Sequence, residues 1–134
     1  MSKYFTDAEL SCKGETEESI AEHGHACGCG GGVGDGIDPK LYELLDDIRE
    51  RVGRPVHISC AYRCPVHDAD VGGVGGAHTK GQAADIYVDD MGVEELAQIA
   101  EELQADGVGR YFNDGFVHVD VRDGRVDGGY RWTK

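Results

Sequence analysis

Phe116-Val117-His118-Val119-Asp120-Val121 alternates apolar and other side chains without a break after Phe116. Successive side chains of an extended strand point to opposite faces, so Val117, Val119 and Val121 form one row, and Phe116, His118 and Asp120 the other. The valine row belongs in a core, which leaves an imidazole and a carboxylate on the face available to a cleft. Buried without partners, such a pair costs on the order of a few kcal/mol, so that face needs a metal or a hydrogen-bond network. A matching set lies upstream in His78-Thr-Lys-Gly-Gln-Ala-Ala-Asp85. His78 ends a glycine-rich loop (Gly72, Gly73, Gly75, Gly76), and Asp85 opens the apolar run Ile86-Tyr87-Val88. Two imidazoles and a carboxylate form the set that a catalytic zinc ion takes when its fourth position stays open for water. The His-x6-Asp spacing is not specific by itself; the three residues together suggest a small zinc hydrolase.

Working outward, Asp38-Pro39 reads as a helix start, with an N-cap acid and proline at the first helical position. Leu41, Leu44, Leu45, Ile48 and Val52 recur at helical spacing, and Gly53 ends the helix. Pro55 to Cys60 reads as a strand, with Val56 and Ile58 on one face and His57 and Ser59 on the other. Ala83 to Val88 is a second strand. Val93, Leu96, Ile99, Ala100 and Leu103 mark a second amphipathic helix, closed by Asp106-Gly107. Val108 to Tyr111 and Phe116 to Val121 form a hairpin around Asn113-Asp114-Gly115. The tail Gly128-Gly-Tyr-Arg-Trp132 adds a short strand or covers an edge. These elements predict an α+β fold in which helices pack on one side of a small antiparallel sheet. Residues 1–37 read as an irregular segment rich in Cys, His and Gly, and 38–134 as the functional domain, one compact unit overall.

At 134 residues the chain is the size of one domain with a single core. Its net charge of −13 argues against a nucleic-acid binder, which needs clustered Lys and Arg. The same charge means that an anionic substrate must be captured by a locally positioned cation. The stretch Met1 to Glu9 has no apolar signal core, and no long apolar run spans a membrane. The expectation is synthesis in the cytoplasm without a signal peptide and no membrane insertion.

Several blocks occur in a fixed order: Ser59-Cys-Ala-Tyr-Arg-Cys-Pro-Val-His-Asp68, Val71-Gly-Gly, Ala77-His-Thr-Lys-Gly-Gln-Ala-Ala-Asp-Ile86, Gly107-Val-Gly-Arg-Tyr111 and Gly115-Phe-Val-His-Val-Asp-Val-Arg122. Together they resemble the zinc D-alanyl-D-alanine carboxypeptidase family, which belongs with the lysostaphin and hedgehog-type metallopeptidases. The resemblance covers roughly residues 38–132, and Tyr4 to Lys13 resembles the start of such domains. It implies His78, Asp85 and His118 as ligands of a Zn2+ cofactor, and Arg63 near the substrate carboxylate, a task suited to a planar guanidinium. It also implies hydrolysis of peptidoglycan stem peptides, by a carboxypeptidase or an endopeptidase acting at the cell wall after release, as in a phage or prophage lysin or a bacterial wall-remodelling enzyme. Where relatives carry a second His or an acid ahead of the last ligand, this chain has Phe116 and Gly115. The candidates for the catalytic base are therefore Asp120 and Asp114, and Asp120 also suits a partner that orients a ligand. Hedgehog relatives supply the alternative, a non-catalytic zinc-binding module that recognises wall peptides or a protein partner.

Five cysteines form an odd set, and a reduced compartment favours thiols or metal ligands over disulfides. Cys12, His23, His25, Cys27 and Cys29 form a candidate structural zinc site, with a loop of free thiols as the alternative reading. Cys60 and Cys64, flanking Tyr62-Arg63, read as small buried hydrophobes. His57 reads as a sheet-face residue and His67 as a loop residue.

Overall fold

The computed structural model describes residues 2–29, 31–34, 36–71, 76–122 and 130–134. Gly72, Gly73 and Gly75 of the expected loop, and Gly128 and Gly129 of the tail, lie outside the described residues. The best-marked helix runs from Pro39 to Val52 (α2). Asp38 caps it by accepting from the Lys40 amide, and Gly53 closes it at φ 75°, a left-handed geometry that glycine adopts without a Cβ penalty. Its buried stripe is Leu41, Leu44, Leu45 and Ile48. Each fully buried leucine or isoleucine there contributes about 2 kcal/mol of apolar transfer. The second amphipathic helix, α4 (Val93–Glu102), buries Leu96, Ala97 and Ala100.

Five strands form one sheet: β1 (His57–Cys60), β2 (Ala83–Tyr87), β3 (Gly107–Tyr111), β4 (Phe116–Asp120) and β5 (Tyr130–Thr133), in the order β1-β2-β4-β3-β5. All neighbours are antiparallel except β3 and β5, so the sheet is mixed where the sequence suggested antiparallel pairing throughout. The tail strand takes the outer edge of β3, because the inner edge is already held by its hairpin partner β4. The fold is α+β, with helices packed on one face. Val117 and Val119 are fully buried and Val121 nearly so, in one core with Ile86, Val108 and the stripes of α2 and α4. Phe5 and Leu10 join that core from the N-terminal segment.

Two short helices escape the sequence reading. α1 (Glu17–His23) lies within the segment expected to be irregular, capped by Thr16 and ended by Gly24. It buries only Ser19, so it carries no apolar stripe to betray it. α3 (Pro65–Asp70) begins on a proline, with Cys64 as its cap, and buries His67 and Asp68. His67 is thus a buried helix residue rather than a loop residue. Among the described residues no helix is long and apolar enough to cross a membrane.

Candidate functional site

The polar face of β4 meets β2 and β3 in register. His118 stands opposite Asp85 on one side and Gly109 on the other, and Asp120 stands opposite Ala83 and Gly107. The small residues make room. A Cβ on Gly107 would fall within the Asp120 carboxylate, and one on Gly109 within the Trp132 indole. His78 reaches the same face from a short 3-10 turn, Ala77–Lys80, whose last residue is followed by Gly81 in left-handed geometry.

His78, Asp85 and His118 are all buried and converge. His78 Nε2 lies 3.4 Å from Asp85 Oδ1, and His118 Nδ1 lies 3.3 Å from the same oxygen. The outer nitrogens are spoken for: His78 Nδ1 meets the Ala61 carbonyl at 2.7 Å, and His118 Nε2 meets Asp120 Oδ2 at 2.7 Å. A carbonyl and a carboxylate only accept, so both outer nitrogens carry hydrogen. In neutral rings the inner nitrogens then present lone pairs to a carboxylate. Asp85 Oδ1 is buried and has no hydrogen bond of good geometry, despite its short distances to the two rings. Three acceptors aimed at one another inside a protein require a cation between them, either protons on the imidazoles or a metal. The donor set, two nitrogens and one oxygen, is one that zinc accepts.

The electrostatics without metal express the same demand. Burial pushes His78 down, yet Asp85, with Cys60, more than reverses it and raises the imidazole to about 9. Burial raises Asp85, but His118 and His78 outweigh it and hold the carboxyl at about 2. His118 is also raised, with burial opposed by Asp120 and Asp85. In protein stripped of metal, the His78 ring is therefore expected to titrate near pH 9 when followed by NMR. Its folded-state value exceeds the unfolded 6.5, so its stabilisation is complete below about pH 6.5 and is lost as pH rises through 9. The Asp85 contribution has the opposite sense: it is present above about pH 4 and lost as pH falls toward 2. A His78 titration at or below 6.5 would contradict this arrangement.

Asp120 is fully buried. Besides His118 it engages Arg122, whose Nε donates to Oδ1 at 2.9 Å and whose Nη2 contacts Oδ2. Burial works to raise its pKa, but His118 and Arg122 prevail and lower it to about 2. Asp114 is exposed in the turn between β3 and β4 and does not line the cleft. Arg63 does line it. Its amide donates to the His78 carbonyl at 3.2 Å, and its Nε lies 3.1 Å from Asp68 Oδ1.

The cleft over the three residues has a volume of about 380 Å³ and an aromatic wall. Tyr111 and Phe116 stack at 4.4 Å, Trp132 Nε1 donates to the Tyr111 hydroxyl at 3.1 Å, and the indole sits 4.9 Å from the His118 ring. Phe116 thus builds wall where relatives were expected to carry a histidine. A second hollow, lined by Lys13, Ser19, Glu22 and His23, meets the first at Arg63, Val71 and Asp85.

Cys60 was missed by the sequence reading. A register shift between Ile58 and Cys60 pairs Cys60 with Asp85, and its sulfur lies within 4.8 Å of the His78 and Asp85 donor atoms. Strict alternation would have aimed it at the core with Ile58. Cys64 is buried as expected, and its sulfur also gathers with those of Cys12, Cys27 and Cys29. His23 and His25 do not join that group. His23 packs edge-on against His67, and His25 pairs with Asp70 at 2.9 Å.

The Peptidase M15 family model matches residues 3–120. Among curated proteins, the peptidoglycan L,D-endopeptidase MepK of Escherichia coli strain K12 is 31% identical over 97 residues, covering 66% of this chain and 53% of that protein. Proteins of the same name from Escherichia coli O157:H7 and Shigella flexneri match to the same extent. The chain spans about half the length of these curated relatives.

Proposed function

Because this chain belongs to the Peptidase M15 family, we propose that it is a zinc-dependent endopeptidase that hydrolyses amide bonds in peptidoglycan stem peptides. The observation that carries the reading is the convergence of His78 Nε2, His118 Nδ1 and the unpaired Asp85 Oδ1. These three residues would hold the zinc. When bound, zinc supplies a Lewis acid and brings the pKa of a water ligand toward neutrality.

The chain's own residues do the rest. Arg63 binds a carboxylate of the stem peptide, supplying the local cation that so acidic a chain needs. Asp120 keeps the Nε2 proton on His118 and so keeps the Nδ1 lone pair turned inward. Tyr111, Phe116 and Trp132 shield the site from bulk water on one side, which strengthens the electrostatic interactions within it. Two hollows meeting at Asp85 support cleavage of an internal bond, since peptide has room to continue on both sides. The endopeptidase name of the MepK relatives supports the same choice over release of a terminal D-alanine.

The test is mass spectrometry of muropeptides after incubation with zinc-loaded protein. Internal cleavage within stem or cross-bridge peptides is the expected result. Release of a single terminal residue would assign a carboxypeptidase instead. Intact substrate in every digest would defeat the peptidase reading.

A second reading rests on Cys60. Its sulfur lies within 4.8 Å of the His78 and Asp85 donors; were it to join them and His118 on the ion, the centre would be closed, and the domain would bind wall peptides without cutting them. Cys60→Ser decides between the two. Zinc content and turnover are both retained if the fourth position belongs to water, whereas zinc is lost if the thiolate holds it.

A further inference from the structure

The four sulfurs outside the cleft have no part in the chemistry above. Cys12 follows the buried Leu10, Cys27 and Cys29 follow α1, and Cys64 caps α3, so three separate stretches of chain deliver them to one point. All four lie within 4.8 Å of one another, with Cys12 to Cys27 at 4.0 Å and Cys27 to Cys29 at 3.2 Å, and all are free thiols. A tetrahedral ion bound to four thiolates at about 2.3 Å sets its sulfurs about 3.8 Å apart, a spacing the observed distances bracket. Cys12, Cys27 and Cys64 are buried, and apart from Tyr62 they form no apolar cluster large enough to explain the gathering by packing.

The surrounding backbone suits thiolates. The His67 amide donates to Cys64 Sγ at 3.4 Å, and the Gly31 amide donates to Cys29 Sγ at 3.3 Å. Gly14 is there for proximity: a Cβ would strike Cys27 Sγ at 2.6 Å and His67 Cβ at 2.9 Å. The Gly14 carbonyl accepts from the Cys27 amide at 3.2 Å, fixing the two arms of the loop against each other.

We propose that Cys12, Cys27, Cys29 and Cys64 bind a second zinc ion in a closed four-thiolate site that fastens the N-terminal segment to the start of α3. The thiols give up their protons to solvent as the metal binds, and no oxidation is involved. Among the described residues before 38, regular structure is limited to the seven residues of α1, so beyond the core contacts of Phe5 and Leu10 the ion supplies a cross-link to this segment. Cys64 adjoins Arg63, and the same ion therefore anchors the turn that carries the guanidinium into the cleft.

The experiment uses protein purified under reducing, chelator-free conditions, beside a His78→Ala/His118→Ala double variant that dismantles the other centre. Elemental analysis is expected to give about two zinc ions per chain in the first and about one in the second. Reconstituting the double variant with cobalt(II) should produce the strong near-ultraviolet sulfur-to-cobalt absorption of a thiolate-rich tetrahedral site. Cys12→Ser/Cys64→Ser added to that background should abolish it; if the added changes prevent folding, the spectrum of the double variant still decides. A double variant free of zinc, or a cobalt complex without sulfur absorption, would overturn the proposal. So would an intact mass short of hydrogens in pairs, the mark of disulfides. These readouts stand whether or not the cleft hydrolyses peptides.

Discussion

His118→Ala is expected to remove one zinc ion per chain and to reduce stem-peptide hydrolysis by at least about a thousandfold. The size follows from what the metal contributes. Lewis-acid stabilisation of a developing oxyanion is worth several kcal/mol, and each 1.36 kcal/mol is a factor of about ten in rate. His118 is the junction of the site: its Nδ1 lies 3.3 Å from Asp85, and its Nε2 holds the buried Asp120. Without the ring, only His78 and Asp85 remain of the proposed ligand set, fewer than the three protein ligands characteristic of catalytic zinc sites. The fold should survive, since the valine row on the other face of β4 is untouched and provides the packing. Zinc analysis, steady-state hydrolysis and a thermal melt check the three parts. Activity within tenfold of the unsubstituted protein would remove His118 from the centre.

Asp120→Ala ranks second and acts through different physics. The substitution leaves Arg122 and the His118 Nε2 hydrogen without their shared acceptor in a fully buried position. Removing one member of a buried ion pair costs about 3–5 kcal/mol, and because Arg122 is partly exposed the lower end is expected, about 3 kcal/mol. Loss of a group that orients a ligand histidine lowers metal affinity or activity by about 10–100-fold. Denaturant melts measure the first effect and competition with a chelator the second. Asp120→Asn separates two roles for this carboxylate. An amide oxygen still accepts from His118, so an orienting Asp120 leaves moderate losses in zinc affinity and turnover together. A proton-accepting Asp120 predicts full zinc occupancy with turnover gone. Its lowered pKa, near 2, and its two engaged oxygens favour the orienting role.

Much of this arrangement is legible in the sequence because it depends on local rules. Asp38, Pro39 and Gly53 delimit α2 through capping chemistry that needs no tertiary partner. The alternation in β4 likewise separates Val117 and Val119 from His118 and Asp120, whatever lies beyond. What escapes depends on chain segments meeting. The irregular pairing between Ile58 and Cys60 turns one cysteine toward Asp85, against the alternation of its own strand. Cys64 joins Cys12, Cys27 and Cys29 only because α3 folds back on the N-terminal segment, and Cys64-Pro65 reads as easily as a break as it does as a helix start. The partners of Asp120 are half visible: Arg122 lies two residues on, just past the end of β4, yet nothing local says that burial will be complete.

The pairing of β5 with β3 bears on the order in which the molecule assembles during translation. β4 ends with Asp120 opposite Gly107 and β5 begins with Tyr130 beside the same glycine, so the chain re-enters the sheet at the end of β3 where β4 leaves it. His78, Asp85 and His118 all precede Trp132 in the chain, so the indole that covers His118 is made after all three. β5 thus closes the Trp132 side of the site only once the three converging residues have been made.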